Sequence, residues 1–330
     1  MQMRQRSGLA RYGGALIILA GTVVLAILGL ILDISLLSLA TTILFYVVLA
    51  QGWNVLGGYV GYLNLGTSAF IGIGAYTTGI LWNELAWPPF ITLPLAGLVA
   101  VGLAFLVGRP TLRLRGAYFA IVTLIIAFVL QAVALNWSLT QGATGIFYTP
   151  PTDDPRVNES IFYYSFLVLG FVITVATWMM ERSRLGDALR AVREDEDAAA
   201  VLGINTTRLK MGAFVVGAFL AGIAGSLHGY RLSYIEPGGM FDLGITINVV
   251  VMTILGGAGS WLGPVIGAPI VLALAEFLRV TVVHVDFFGY TIPQEINRLV
   301  LGLILVLVAL FAPRGIMGLI RRTGRRRLGV

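Results

Sequence analysis

The chain has 330 residues, 58% of them hydrophobic and 12% charged, with a formal net charge of +6 and a mean hydropathy of +0.90. No single soluble core hides that much apolar surface, so the composition excludes a soluble globular domain and indicates a polytopic membrane protein. Cysteine is absent, which excludes disulfides, thiolate metal clusters and cysteine nucleophiles.

The apolar runs approach or exceed the ~18 to 20 residues that a helix rising about 1.5 Å per residue needs to cross the hydrocarbon. They lack the polar and apolar alternation of barrel strands, so the predicted fold class is an all-α polytopic integral membrane protein, one transmembrane domain over residues 1–330. The first run, near 15–32, follows Arg4, Arg6 and Arg11. It begins like a signal peptide, but it is too long and no small-residue cleavage site precedes Asp33, so it is read as a helix. Further spans are predicted near 36–56, 62–82, 90–108, 117–139, 161–180, 211–230, 244–255, 264–283 and 296–312. The third is rich in glycine and the eighth is short. Both are expected to be broken or re-entrant, and eight to ten crossings are expected in all.

Basic residues in short loops are retained on the cytoplasmic side. With the N-terminus inside, Arg109, Arg113 and Arg115, the charged stretch 181–210 and the basic tail 314–330 all fall inside. Only Arg156, Arg231, Arg279 and Arg298 lie on or near the other side, which is mildly acidic through Asp33, Glu84, Asp153, Asp154, Glu159, Glu236, Asp242, Asp286 and Glu295. Both termini are therefore expected in the cytoplasm. The tail, GLIRRTGRRRLGV, directly follows a span and reads as a retention and anionic-lipid signal rather than a nucleic-acid site. The longest outer loop, 140–160, carries Pro150, Pro151, Asp153, Asp154 and Pro155; it reads equally as a plain connector or as a rigid, charged docking loop.

Enzyme signatures fail one by one. The only histidines, His228 and His284, are too far apart for a zincin and read as lone interfacial imidazoles. Gly66-Thr67-Ser68-Ala69 ends in Phe70 and fails as a nucleophile elbow. The sole lysine, Lys210, follows Thr206-Thr207-Arg208-Leu209 and lacks the glycine cradle of a phosphate-binding loop. Proton- and voltage-driven transporters carry ionisable groups at membrane depth, and the predicted spans contain almost none. The exceptions, Glu276 and Arg279, share a helix face and read as a gate pair or as a snorkelling arginine neutralised by its neighbour.

An energy source is then expected outside the bilayer, and 181–210 is the one substantial hydrophilic handle. Asp187 is a predicted N-cap, with Ala188, Leu189, Ala191 and Val192 giving the following helix an apolar side. A second short run, 198–202, stops at Gly203, a predicted C-cap. Two short helices bent at the acidic 194–197 would form a knob suited to a groove in a partner; patterning alone leaves an ordinary solvated loop as an equal alternative.

Specific residues favour the knob. Asp197-Ala198-Ala199, three residues, then Gly203 resembles the E-A-A-x-x-x-G loop of ABC importer permeases, with Asp in place of Glu. Gly61-Tyr62-Leu63-Asn64-Leu65-Gly66, Leu114-Arg115-Gly116-Ala117-Tyr118-Phe119-Ala120, Leu185-Gly186 with Arg190-Ala191-Val192-Arg193-Glu194, and Leu255-Gly256-Gly257 running to Gly263-Pro264 are similar to the branched-chain amino acid permeases, in particular the LivM-like branch. The resemblance spans about 56–278.

It implies a permease subunit of an ABC importer that translocates branched-chain (hydrophobic) amino acids across the bacterial inner membrane. The implied partners are a homologous permease forming a heterodimer, two ABC ATP-binding subunits and a periplasmic or lipid-anchored substrate-binding protein. The chain itself would bind no cofactor, ATP and Mg being used by the partners, and would have no catalytic residues. Arg190, Arg193, Glu194, Asp197, Ala198, Ala199 and Gly203 are the expected ATPase-coupling residues. Urea or short-chain amide importers share the family and are the alternative; an ion-coupled secondary carrier is a third reading.

Beside the resemblance, the two Gly-rich segments 57–79 and 256–267 allow close helix approach and let backbone groups face a cavity. Both begin Leu-Gly-Gly with another Leu seven residues later, which reads as coincidence or as a trace of duplication. A neutral zwitterion passes along such a surface without a fixed charge to trap it. Asn64, Thr67, Ser68, Thr123 and Asn248 are the expected path residues, and an interhelical hydrogen bond is the alternative for each.

Overall fold

Polar side chains cap α-helices at six starts, Asp33, Asp154, Ser183, Asp195, Asn205 and Asp242. The structure, a computed structural model, describes residues 8–283 and the side chains of 13–277. The predicted tenth span 296–312, the tail 314–330, Arg4, Arg6, His284 and Arg298, and the side chains of Arg11 and Arg279, lie outside the described residues.

Helix α1 (Gly8–Ile31) ends before Asp33, whose carboxylate caps α2 (Ile34–Asn54) by accepting from Leu36 N at 3.3 Å. Then α2 widens into a π-helical turn, Val55–Val60, and stops at Gly61, whose φ of +85° only glycine adopts readily. Residues 61–66 are irregular and lead into α3 (Thr67–Leu85), followed by α4 (Pro89–Thr111) and α5 (Ala117–Asn136). The third predicted span is thus broken, as expected, with its first residues non-helical.

Asp154 caps α6 (Pro155–Glu181), accepting from Arg156 N and Val157 N at 2.8 and 3.3 Å, with Pro155 where its missing N–H costs nothing. The predicted loop 140–160 therefore ends early: 155–160 are helical. Two short helices, α7 (Arg184–Glu194) and α8 (Glu196–Val201), precede α9 (Thr206–Leu232). A short turn of helix, α10 (Pro237–Met240), leads to α11 (Leu243–Gly256), the predicted short eighth span, and then α12 (Leu262–Val283).

Among the described residues, seven helical spans have the length and hydropathy to cross a bilayer. Helix α3, which carries Asn83 and Glu84 besides its glycines and threonines, is not in that set, yet it packs along α4 and α9 in the middle of the bundle. There the backbones touch: a methyl at Gly74 would overlap the Gly222 carbonyl, and one at Gly225 the Ile71 carbonyl. Such contact strengthens dispersion where lipid supplies no hydrophobic drive between helices. Thr78, Thr92 and Ser226 add a buried hydroxyl chain linking α3, α4 and α9. By contrast α1 is peripheral, leaning on α6 and exposing Leu16, Ile17, Val24, Ile27 and Leu30, as a lipid-facing helix should.

Contacts sort the turns onto two faces. On one, Arg115 meets Asp197 and Trp261 N meets Glu181, so the α4–α5, α6–α9 and α11–α12 connections gather there. On the other, strands β1 (Ile146–Phe147) and β2 (Tyr234–Ile235) pair antiparallel and Arg156 reaches Leu30 O at 3.2 Å. Arg115 and the charged stretch therefore share one face of the bundle. At the β1–β2 end, Arg231 and Glu159 form an ion pair at 2.9 Å with side chains only 8% and 14% exposed, and Arg231 also donates to Ser38 and Thr42.

Candidate functional site

The hydrophilic stretch folds into a knob whose inner face is bonded to the bundle. Ser183 caps α7, its Oγ accepting from Gly186 N at 3.4 Å. This corrects the expected cap at Asp187, which lies inside the first turn; a local polar pattern cannot distinguish two candidate caps four residues apart, and packing of Gly186 against the Met180 carbonyl selects the earlier one. Gly186, Leu189 and Val192 form the buried stripe.

Asp195 breaks the helical run and caps α8, accepting from Asp197 N and Ala198 N, both at 2.9 Å. Gly203 has φ of +85° and open space around its missing Cβ, so backbone conformation and not room requires glycine there. Ile204 N donates to Ala199 O at 3.1 Å and closes the end. The expected bend at 194–197 and stop at Gly203 are both present. Ala199 is buried while Val201 and Leu202 are 87% and 79% exposed, leaving an apolar tip on a charged knob.

The coupling candidates separate into two sets. Arg190 and Arg193 face the bundle. Arg190 pairs with Glu181 at 3.1 Å and lies over the Tyr59 ring, and Glu181 accepts from Tyr59 Oη at 2.8 Å and from Trp261 N at 2.9 Å. Arg193 donates to Gly58 O at 2.6 Å, and its guanidinium lies where a side chain at Gly259 would stand. Asn54 ties the same two glycine turns together, accepting from Gly259 N at 2.8 Å and donating to Ser260 O at 3.0 Å. The Gly58 and Gly259 turns therefore pack on each other and on α7, a different arrangement from the expected one in which their backbone faced a cavity. Glu194, Ala198 and Gly203 are exposed, whereas Asp197 accepts a two-pronged bond from Arg115 at 2.7 and 3.0 Å.

Beneath α8 lies a cluster that residue patterning did not single out. Lys210, 4% exposed, donates to Glu196 at 2.6 Å and to Tyr62 Oη and Leu112 O, both at 3.0 Å. Tyr62 in turn donates to Glu196 at 2.7 Å. Partial burial disfavours the Glu196 anion, but hydrogen bonds from Lys210 and Tyr62 and the charges of Lys210 and Arg115 outweigh it, holding the carboxyl below the ordinary glutamate range. The Arg115 fork likewise lowers Asp197, and Asp197 raises Arg115 in return. The signals were present in the sole lysine and in Tyr62 and Arg115 of the motif segments, but pairing across 148 positions leaves no local trace.

Of the five path candidates, four lie at the start of α3. Asn64 accepts from Gly66 N at 2.9 Å, Thr123 accepts from Leu65 N at 3.1 Å, and Asn64 and Thr67 line a cavity of about 10 Å³ with Trp53, Phe70 and Phe214. Such a space is too small for an amino acid. The Thr67 and Ser68 hydroxyls are buried with no protein partner, while Ser68 N donates to Thr246 Oγ1 at 2.9 Å. Asn248 stands apart and donates to Tyr46 Oη at 3.4 Å. His228 is not the expected interfacial imidazole: its ring stacks on Phe45 with centroids 4.2 Å apart. No group of three His, Asp or Glu side chains gathers in metal-binding geometry among the described residues.

Residues 35–309 match the family model described as branched-chain amino acid transport system / permease component. The protein named high-affinity branched-chain amino acid transport system permease protein LivM of Salmonella typhimurium is 33% identical over 310 residues, covering 86% of this chain and 70% of that one. Its namesake in Escherichia coli is 32% identical over the same shares. The permease protein LivH of Escherichia coli is 29% identical, covering 83% of this chain and 91% of its own. No solved structure gives a significant match.

Proposed function

This chain belongs to the branched-chain amino acid transport permease family, and from that premise we propose that it forms one half of the pathway of an ABC importer in a bacterial inner membrane. Its solute is a branched-chain, hydrophobic amino acid; the naming of the three relatives favours that class over urea or a short-chain amide. Similarity to both LivM and LivH of one organism supports pairing with a homologous permease. Two ABC ATP-binding subunits, which use ATP and Mg, sit on the face carrying α7 and α8, and a periplasmic or lipid-anchored binding protein delivers solute on the face carrying β1 and β2. Both termini are cytoplasmic.

The observation that carries this reading is the shape and wiring of the knob. Its tip presents Val201 and Leu202 to solvent, an apolar contact surface that no described residue covers. Its root is bonded to both glycine turns through Arg193 and Glu181 and to the irregular segment before α3 through Glu196 and Tyr62. A push on the tip is therefore delivered where the helices are broken, the places that yield with least lost hydrogen bonding. When those turns separate, Asn64, Thr67, Ser68 and Thr123, with Asn248 at a separate point of the path, supply neutral hydrogen-bonding groups to the passing zwitterion; the unpartnered hydroxyls of Thr67 and Ser68 support this role.

The test is a Val201→Asp, Leu202→Asp variant purified with the ATP-binding subunits. Co-purification and solute-stimulated ATP hydrolysis should fall at least tenfold while the permease's own unfolding is unchanged. Normal association and hydrolysis would overturn the assignment of α8 to the ATPase.

A further inference from the structure

A basic cavity of about 520 Å³ lies beside the knob, lined by Arg109, Arg113, Arg115, Glu196, Thr207 and Lys210. Two of its cations are already matched, Lys210 by Glu196 and Arg115 by Asp197. Arg109, in the last turn of α4, and Arg113, just past its end, are both exposed and form no ion pair among the described residues. The cavity thus retains positive charge with guanidinium donors unspent.

Its position says what kind of anion reaches it. Phe105 and Leu106 stand four and three residues before Arg109, hence on the same helix face, and are 45% and 73% exposed. About one turn further back along that stripe, Gly102 has open space where a side chain would project, and Leu98 beyond it is 59% exposed. An apolar, lipid-facing track therefore runs down α4 and ends at unpaired arginines at the depth of the headgroups. Guanidinium groups bind phosphate oxygens in a matched fork, and basic pockets between helices on this side are suited to anionic headgroups.

We propose that this cavity is a binding site for a phosphate group, held by Arg109 and Arg113 with the Thr207 hydroxyl in reach, and supplied by an anionic phospholipid whose acyl chain lies along the Leu98–Leu106 stripe. Free inorganic phosphate presents the same chemistry without the chain. The site lies beyond the transport assignment and stands whether or not α8 meets an ATPase.

The experiment compares the full chain with Arg109→Gln, Arg113→Gln and with a control, Arg184→Gln, an exposed arginine on the same face outside the cavity. In one arm, native mass spectrometry counts lipids retained from nanodiscs of equal phosphatidylglycerol and phosphatidylcholine; in the other, inorganic phosphate is titrated against detergent-solubilised protein. The lipid source predicts selective phosphatidylglycerol retention, lowered about fivefold per arginine and roughly 25-fold in the double variant, with the control unchanged. Arginine-dependent phosphate binding without lipid selection would keep the site and overturn the lipid. Equal losses in the control, or none in the double variant, would overturn the site.

Discussion

Replacing Lys210 by Met removes a cation at the centre of the cluster that fastens α8 to the bundle. The variant leaves Glu196, 15% exposed on its side chain, without its partner at 2.6 Å and strips Leu112 O of its donor. Breaking a buried pair from one side costs about 3–5 kcal/mol. Tyr62 still donates to Glu196 and Arg115 stays at 3.7 Å, so the lower end applies, about 3 kcal/mol or roughly a hundredfold in the folded-to-unfolded ratio. Adding Glu196→Gln should recover more than half of that loss, because the stranded charge is gone. The sign with pH follows from the lowered Glu196 pKa: its contribution is present above the ordinary glutamate value of about 4.3 and lost as pH falls through the lower folded value. Unfolding in mixed micelles, measured at neutral pH and near pH 4, should therefore show a penalty for Lys210→Met that shrinks on acidification. A neutral-pH penalty below about 1 kcal/mol, or one that is unchanged in acid, would refute the assignment of a buried, charge-paired anchor.

Gly203→Ala should cost about 1 kcal/mol through its left-handed backbone alone, since no atom stands within 4 Å of the added carbon. Gly203→Asn should cost less, and protease sensitivity at 196–205 is the readout. At the opposite end, Arg231→Met should lower stability by about 3 kcal/mol or more by stranding Glu159, with the double change Arg231→Met, Glu159→Met regaining much of it in the same unfolding assay.

The spans were legible because lipid tolerates only long apolar runs, and the described helices fall on nine of the ten predicted segments. The breaks were legible too, since Gly57, Gly58, Gly256 and Gly257 interrupt those runs. What residue order could not show is which turns meet. Arg193 reads as a surface charge on α7 until the Gly58 carbonyl and the Gly259 turn are placed against it, and Lys210 reads as a solitary lysine until Tyr62 and Glu196 arrive from other parts of the chain. Likewise Asn248 shares its residue type with Asn64, but α11 carries it to Tyr46 and away from the start of α3. Local propensity fixed the element types; side-chain partners belong to tertiary contacts, most of them many tens of positions apart.

The central claim is that this permease moves solute only when driven from the face bearing α7 and α8. Uptake of radiolabelled leucine should be followed in proteoliposomes containing the chain with and without its homologous permease, ATP-binding subunits and binding protein. Accumulation against a gradient is expected only in the complete assembly with ATP and Mg, and should fall at least tenfold with Val201→Asp, Leu202→Asp. Uphill uptake by the chain alone under a proton or sodium gradient would contradict the account.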